Sequence, residues 1–237
     1  MPDTSFLTIL GLGFLLGAKH ALDADHVAAV STLLVDRPAW RTSGIVGFCW
    51  GFGHTVTLLL VGLLVIVFKL TIPEPVAQGL ELGVGLMLIV LGGSLAATLV
   101  RARWHVHVHR HEGESHLHLH SHRLQQDHAH AHAHGVPWSV RPVLIGMVHG
   151  LAGSAALMLL VLAAVRSVWE GLVYILVFGV GSIAGMMLLG MVISVPLVMS
   201  VAWGRRAQFA IQGLASLGSI GLGVTMVARI ALEALPF

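Results

Sequence analysis

The sequence predicts an all-α polytopic membrane protein with about six transmembrane helices, arranged as a 3+3 inverted repeat. The composition, the spacing of apolar stretches and an internal similarity lead to this prediction. Hydrophobic residues make up 56% of the 237 residues, charged residues only 10%, and the mean hydropathy is +0.88. Soluble proteins average about 25% charged residues. The excess of apolar surface therefore indicates contact with lipid, and the bilayer is the first expected partner.

Six apolar stretches are long enough to cross a bilayer, which requires about 20 residues each. They cover residues 4–34, 42–69, 78–101, 141–165, 170–200 and 207–236. The first is expected to be a retained helix, because it lacks the basic segment and the cleavage site of a signal peptide. In the fifth, Pro196 is expected to end or kink the helix late.

Arginine and lysine residues are distributed unevenly between the connections. The loops after the first, third and fifth stretches contain Arg37, Arg41, Arg101, Arg103, Arg110, Arg123, Arg141, Arg205 and Arg206. The opposite side has Lys69, Arg166 and Arg229. The positive-inside rule predicts that the three arginine-rich loops are cytoplasmic and that both termini lie outside the plasma (inner) membrane.

The two halves of the chain resemble each other, and each contains three apolar stretches. An odd number of spans makes the second copy enter the membrane the other way up, as in many transporters. The predicted domains are a three-helix repeat over 1–102, a loop over 103–140 and a second repeat over 141–237. The alternative is six similar helices that share small-residue packing faces. The aligned segments are 17–22 with 146–151, 50–53 with 178–181, and 78–80 with 212–214.

Titratable side chains occur near the centres of several spans. They are His20, Asp23, Asp25, His26, His54 and His149. A charged residue at the bilayer centre costs about 2.5–3.5 kcal/mol on insertion scales, and a divalent cation would compensate two aspartates. Imidazole with carboxylate suits nickel, cobalt, zinc, copper or iron better than magnesium or calcium. The alternative for a single histidine is a hydrogen-bonded packing residue.

The spacing in the first span predicts a distorted helix. On an unbroken helix His20 and His26 are about 9 Å apart along the axis, whereas ligands approach one ion within about 2 Å. We therefore expect the helix to be kinked or unwound around residues 22–25. The alternative is two ion positions in series.

Residues 19–26, Lys-His-Ala-Leu-Asp-Ala-Asp-His, resemble the signature of the nickel/cobalt transporter family. Residues 48–55, which end in Gly-Phe-Gly-His-Thr, resemble a second motif of that family. The resemblance implies that His20, Asp25, His26 and His54 bind the ion during uptake. Nickel or cobalt would be the substrate of a carrier that is not an enzyme and has no cofactor.

The chain departs from larger family members, which have eight spans and an acidic motif later in the chain. The nearest segment here, 147–154, contains His149 but no acid. The chain is more similar to compact relatives, some labelled as urease accessory membrane proteins. That likeness implies a cytoplasmic metallochaperone or a nickel-enzyme maturation system as a partner.

The long loop is rich in histidine and is expected to be disordered, because it has little apolar content. Such tracts chelate divalent ions, although a tolerant linker is the alternative to a role in transport. The loop histidines are His105, His107, His109, His111, His116, His118, His120, His122, His128, His130, His132 and His134.

Sequence motifs help to distinguish nickel or cobalt uptake from other functions. Exporters of nickel and cobalt also have six spans and such loops, but residues 23–26 resemble the uptake signature more closely. A membrane metalloprotease requires His-Glu-x-x-His, which the sequence lacks. A non-transporting metal sensor or chaperone remains an alternative. The formal charge of +2 does not indicate a nucleic-acid partner, and the single Cys49 excludes a thiolate cluster.

Overall fold

The computed structural model describes residues 4–35, 39–101, 105–111, 114–120, 140–164 and 167–233. Helices account for most of them. In chain order the elements are α1 (Thr4–His20), α2 (Ala24–Leu34), α3 (Trp40–Phe68), α4 (Glu74–Arg101), β1 (His105–His111), β2 (Glu114–His120), α5 (Val140–Ala164), α6 (Val168–Trp203) and α7 (Arg205–Glu233). The helix bounds lie close to the six apolar stretches, as expected where a run of apolar residues must satisfy its own backbone hydrogen bonds.

Four described helices are long and apolar enough to cross a membrane: α3, α4, α6 and α7. The pair α1 and α2 gives a fifth span if the two are taken together. By the same criteria of length and hydropathy, α5 qualifies only as a shorter apolar helix, over Val140–Ala152. The all-helical membrane-spanning class is therefore confirmed for the described spans, while the arrangement of six spans as 3+3 stays a prediction.

The first apolar stretch is broken, and this confirms the predicted distortion. Helix α1 ends at His20 and α2 begins at Ala24. The two axes differ in direction by 54°. Backbone hydrogen bonds from Leu22 N–H to Lys19 O and from Asp23 N–H to His20 O close the turn.

Pro196 does not end α6, so that part of the expectation is wrong. The helix continues to Trp203 and ends at Gly204, whose φ of 93° favours glycine. A proline in a helix removes one donor, and in membrane helices nearby polar groups compensate for such gaps. Nearby, the hydroxyls of Ser194 and Ser200 donate to the carbonyls of Met191 and Leu197 and not to that of Val192, which is the carbonyl that loses its donor.

The helices pack through small residues. Helix α3 contacts both α5 and α6, α1 lies on α6, and α4 pairs with α7. At the first three contacts a Cβ on a glycine would collide with a backbone carbonyl of the facing helix, so only glycine allows this approach. The glycine and carbonyl pairs are Gly17 with Phe178, Gly181 with Phe14, Gly146 with Trp50, Gly53 with Val143, and Gly47 with Met186.

The buried core surrounds Trp50, Met186 and Leu88, and the outward faces of the helices are largely apolar. Large exposed apolar surface is a mark of a membrane-embedded protein.

Part of the histidine-rich loop forms a hairpin, which differs from the expectation of disorder. Strands β1 and β2 are antiparallel, and His105, His107 and His109 stand opposite His120, His118 and His116. The alternation of histidine with Val and Leu has the period of two that favours a strand. The loop histidines His122, His128, His130, His132 and His134 lie outside the described residues.

Candidate metal site

The break between α1 and α2 brings together two histidines that an unbroken helix would separate. The His20 and His26 rings have centroids 4.6 Å apart. The Asp23 carboxylate lies 2.7 Å from His20 Nδ1. Asp23 stands at the N-cap position of α2, but its side chain makes no cap hydrogen bond. It therefore orients the His20 ring instead of stabilising the helix end.

Helix α3 contributes His54, which is fully buried. Its ring centroid lies 5.2 Å from that of His20 and 5.4 Å from that of His26. The glycines around it allow neighbouring helices to approach, since Gly53 faces the Val143 carbonyl on α5. The motif residue His54 is thus held beside both histidines of the broken span.

Helix α5 contributes His149, whose imidazole Nε2 lies 2.8 Å from Asp25 Oδ2. The other carboxylate oxygen of Asp25 accepts a hydrogen bond from the His26 backbone N–H at 3.0 Å. The ring of His149 is also 4.6 Å from that of His26. Asp25 therefore joins the beginning of α2 to the second half of the chain.

Several ring nitrogens in this cluster are buried without a hydrogen-bond partner among the described residues. They are His26 Nδ1, His149 Nδ1 and both nitrogens of His54. An unsatisfied buried polar group costs about 1–3 kcal/mol. A metal ion would use the one lone pair that each neutral ring offers, because neutral imidazole nitrogen is a common metal ligand.

Two sets of three residues have ligand atoms close enough for one ion. His20, His26 and His54 form one set, and Asp25, His26 and His149 form the other; in each, the ligand atoms all lie within 4.8 Å of one another. Five of the six residues predicted from the spans thus meet in one cluster. Asp23 belongs to neither set and contacts His20 instead.

Sequence reasoning missed two aromatic residues of the cluster. The Trp50 ring stands edge-on to His26 and His149, with centroids 5.3 and 5.4 Å away. Phe178 lies 5.6 Å from His20. The comparison of 50–53 with 178–181 already pairs Trp50 with Phe178, but gives neither residue a role.

The fold and the cluster define a class: a membrane-spanning protein with a buried imidazole and carboxylate cluster of the type that binds divalent transition metals. The chain belongs to the family described as high-affinity nickel-transport protein (NicO), which it matches over residues 6–234. This is a family of nickel transporters and not of enzymes.

Two relatives extend the comparison. The chain is 42% identical over 201 residues to the urease accessory protein UreH of Bacillus sp. (strain TB-90), covering 84% of this chain and 82% of that protein. It is 36% identical over 92 residues to the chloroplast protein FOR GROWTH AND FERTILITY 1 of Arabidopsis thaliana, covering 38% of this chain and 25% of that protein. No solved structure is significantly similar.

Proposed function

We propose that this protein takes up nickel or cobalt ions into the cytoplasm through the buried cluster of His20, Asp25, His26, His54 and His149. The observation that carries the proposal is the set of unpartnered imidazole nitrogens, grouped around a carboxylate inside apolar helices. Membership in a nickel-transport family supports nickel as the substrate. Asp23 takes the role of orienting His20 through their 2.7 Å contact.

The proposed path lies between two inverted repeats, over 1–102 and 141–237. Reciprocal packing supports the repeat: Gly17 faces the Phe178 carbonyl, and Gly146 faces the Trp50 carbonyl. Gly146 lies 129 residues after Gly17, and Phe178 lies 128 after Trp50. A two-fold exchange of the halves would generate such a pair of contacts. Rocking of one repeat against the other would then change access to the ion.

The proposed orientation follows from the arginine-rich loops. The loop over 103–140 and the connections at 36–41 and 204–206 would be cytoplasmic, with both termini outside the plasma membrane. The histidine-rich loop would collect ions that leave the carrier. The likeness to a urease accessory protein supports delivery to a nickel-enzyme maturation system.

Uptake of radioactive nickel into proteoliposomes tests the function. Wild type should accumulate nickel, and His26→Ala should reduce the flux to background, since His26 belongs to both ligand sets. Leu60→Ala, on the exposed surface of α3 and outside the motif, is the control and should transport normally. Deletion of residues 105–134 then shows whether transport requires the histidine-rich loop. Retention of nickel without flux in the wild type would favour a sensor or chaperone, and outward flux alone would favour an exporter.

Acid should weaken nickel binding to the cluster, because imidazole binds metal only when deprotonated. Affinity measured by equilibrium dialysis should fall as the pH is lowered from about 7.5 to about 5, because protons compete with the metal ion for the ring nitrogens. The nickel bound by the wild type minus the nickel bound by His26→Ala gives the contribution of the cluster, without that of the loop. Binding that is unchanged at the lower pH would contradict imidazole ligands.

A further inference from the structure

The cluster contains two ligand sets that overlap in a single residue. The first-half position consists of His20, His26 and His54, and the interhalf position consists of Asp25, His26 and His149. The His26 ring is close to one histidine of each set, with its centroid 4.6 Å from those of both His20 and His149. It is almost completely buried.

One ion cannot use all five side chains in this arrangement. Nitrogen and oxygen ligands lie about 2.0–2.2 Å from a transition metal, so two ligands of one ion are at most about 4.4 Å apart. Within the described residues the ligand atoms of each set lie within 4.8 Å of one another, close to that limit, and the five side chains do not form one such group.

The two positions differ in the elements that build them. The first-half position takes its ligands from α1, α2 and α3, all within 1–102. The interhalf position includes His149 from α5, which contacts Asp25 at 2.8 Å. An ion there would be bound by both halves, whereas an ion at the first-half position would be bound by one half alone.

We propose that a divalent nickel or cobalt ion occupies the two positions in succession and that His26 stays bound during the exchange. This inference rests on the proposed function and adds the order of events to it. His20 and His54 leave the ion as Asp25 and His149 bind, so the ion is never returned to full hydration inside the protein. Because His26 serves both positions, one ion excludes another from the cluster.

The ligand types support a transfer of this kind. The first-half position offers three neutral imidazoles, and the interhalf position offers two imidazoles and a carboxylate. Both sets suit nickel and cobalt, so the ion is bound adequately at each stage. Trp50 stands edge-on to His26 and His149 and fixes the two rings that bind at the interhalf position.

Cobalt(II) binding to the purified full-length protein tests the two positions separately. All twelve loop histidines are first replaced by glutamine, so that the loop does not contribute to the signal. The parent protein should bind one equivalent. His54→Ala should still bind cobalt, with a ligand shell of two imidazoles and a carboxylate by X-ray absorption and electronic spectra. His149→Asn should also bind it, with a shell of three imidazoles, and His26→Ala should bind none.

Nickel flux in proteoliposomes then tests the succession. His54→Ala and His149→Asn should each still bind the metal ion, but their nickel flux should fall at least tenfold. Each variant lacks one of the two positions that the ion occupies in succession. Asparagine at position 149 keeps a donor for Asp25, and Val148→Ala on the exposed face of α5 is the control for helix packing. The inference is overturned if the parent binds two ions at once, if His54→Ala abolishes binding, or if His149→Asn transports normally. A His26→Ala protein with full flux would overturn the proposed function itself.

Discussion

At the scale of single residues, the two aspartates of the first span differ in their contacts and exposure more than the sequence indicates. Both lie within a few positions of His26, so spacing alone predicts two ligands. In the structure the Asp23 carboxylate is turned to His20 and is about half exposed, whereas Asp25 joins His26 to His149. The difference arises from the break after His20, whose geometry depends on the surrounding helices.

Asp23→Ala should lower nickel affinity about 10- to 100-fold, as loss of a carboxylate that orients a histidine ligand does at other metal sites. The stability of α2 should change little, because Asp23 makes no cap hydrogen bond. Isothermal titration of the protein without loop histidines measures the affinity. Asp23→Asn, which keeps an oxygen acceptor for His20, should lose less nickel affinity than Asp23→Ala. Wild-type affinity in Asp23→Ala would show that His20 needs no orientation.

Gly146→Ala should destabilise the protein by about 1–3 kcal/mol, the usual cost of overpacking. Its Cβ would collide with the carbonyl oxygen and the ring of Trp50. Displacement of Trp50 should also weaken metal binding, because this ring contacts His26 and His149. Gly79→Ala is the control, since nothing lies near its added Cβ. Thermal unfolding in detergent compares the two, and equal melting temperatures would contradict the packing argument.

At the scale of elements, the apolar stretches predicted the helices well. The stretch 42–69 became Trp40–Phe68 and the stretch 207–236 became Arg205–Glu233, because length and hydropathy alone determine a membrane helix. The break in the first stretch was also predictable, since six residues of helix cannot bring two ligands to one ion. The course of α6 through Pro196 was not, because the rule that proline ends a helix is weaker in membrane helices, where neighbouring groups can compensate for the missing donor.

Pro196→Ala should stabilise α6, or leave its stability unchanged, because the helix already continues through this position. The gain has an upper limit of about 3 kcal/mol, the difference between proline and alanine in a helix interior. Thermal unfolding measures it, with Val195→Ala on the exposed face as the neighbouring control. A clear loss of stability would indicate that a local bend at Pro196 is required by the packing.

At the scale of the whole molecule, reciprocal contacts relate the two ends of the chain. Gly92 on α4 faces the Ser216 carbonyl, and Gly223 on α7 faces the Gly85 carbonyl, so both pairs exchange under a shift of 131 residues. The sequence comparison paired 78–80 with 212–214, a shift of 134, because identical letters in glycine-rich helices also match by chance. Which helices face each other, and how His149 meets Asp25, could not be obtained from one sequence.

Membrane topology gives a test of the inverted repeat. Cys49→Ser provides a background free of cysteine, into which Thr71→Cys and Gly204→Cys are introduced singly. Both positions are exposed, and they lie in the connections between α3 and α4 and between α6 and α7, which the predicted repeat makes equivalent. An impermeant maleimide should label Gly204→Cys from the cytoplasmic side and Thr71→Cys from outside. Labelling of both from one side would contradict inversion.

The presence of a single carboxylate in the two ligand sets has an electrical consequence. An occupied site with Asp25 and neutral imidazoles has a net charge of about +1. Because the carboxylate stays with the protein, a divalent ion released without a counter-ion transfers both of its positive charges, so its passage carries current. A membrane potential contributes about 2.3 kcal/mol per elementary charge per 100 mV. An interior-negative potential, imposed on proteoliposomes with potassium and valinomycin, should therefore accelerate nickel entry. Proteoliposomes without an imposed potential should take up nickel more slowly. Under the proposed uptake, the resting voltage of a cell would favour accumulation of the ion inside.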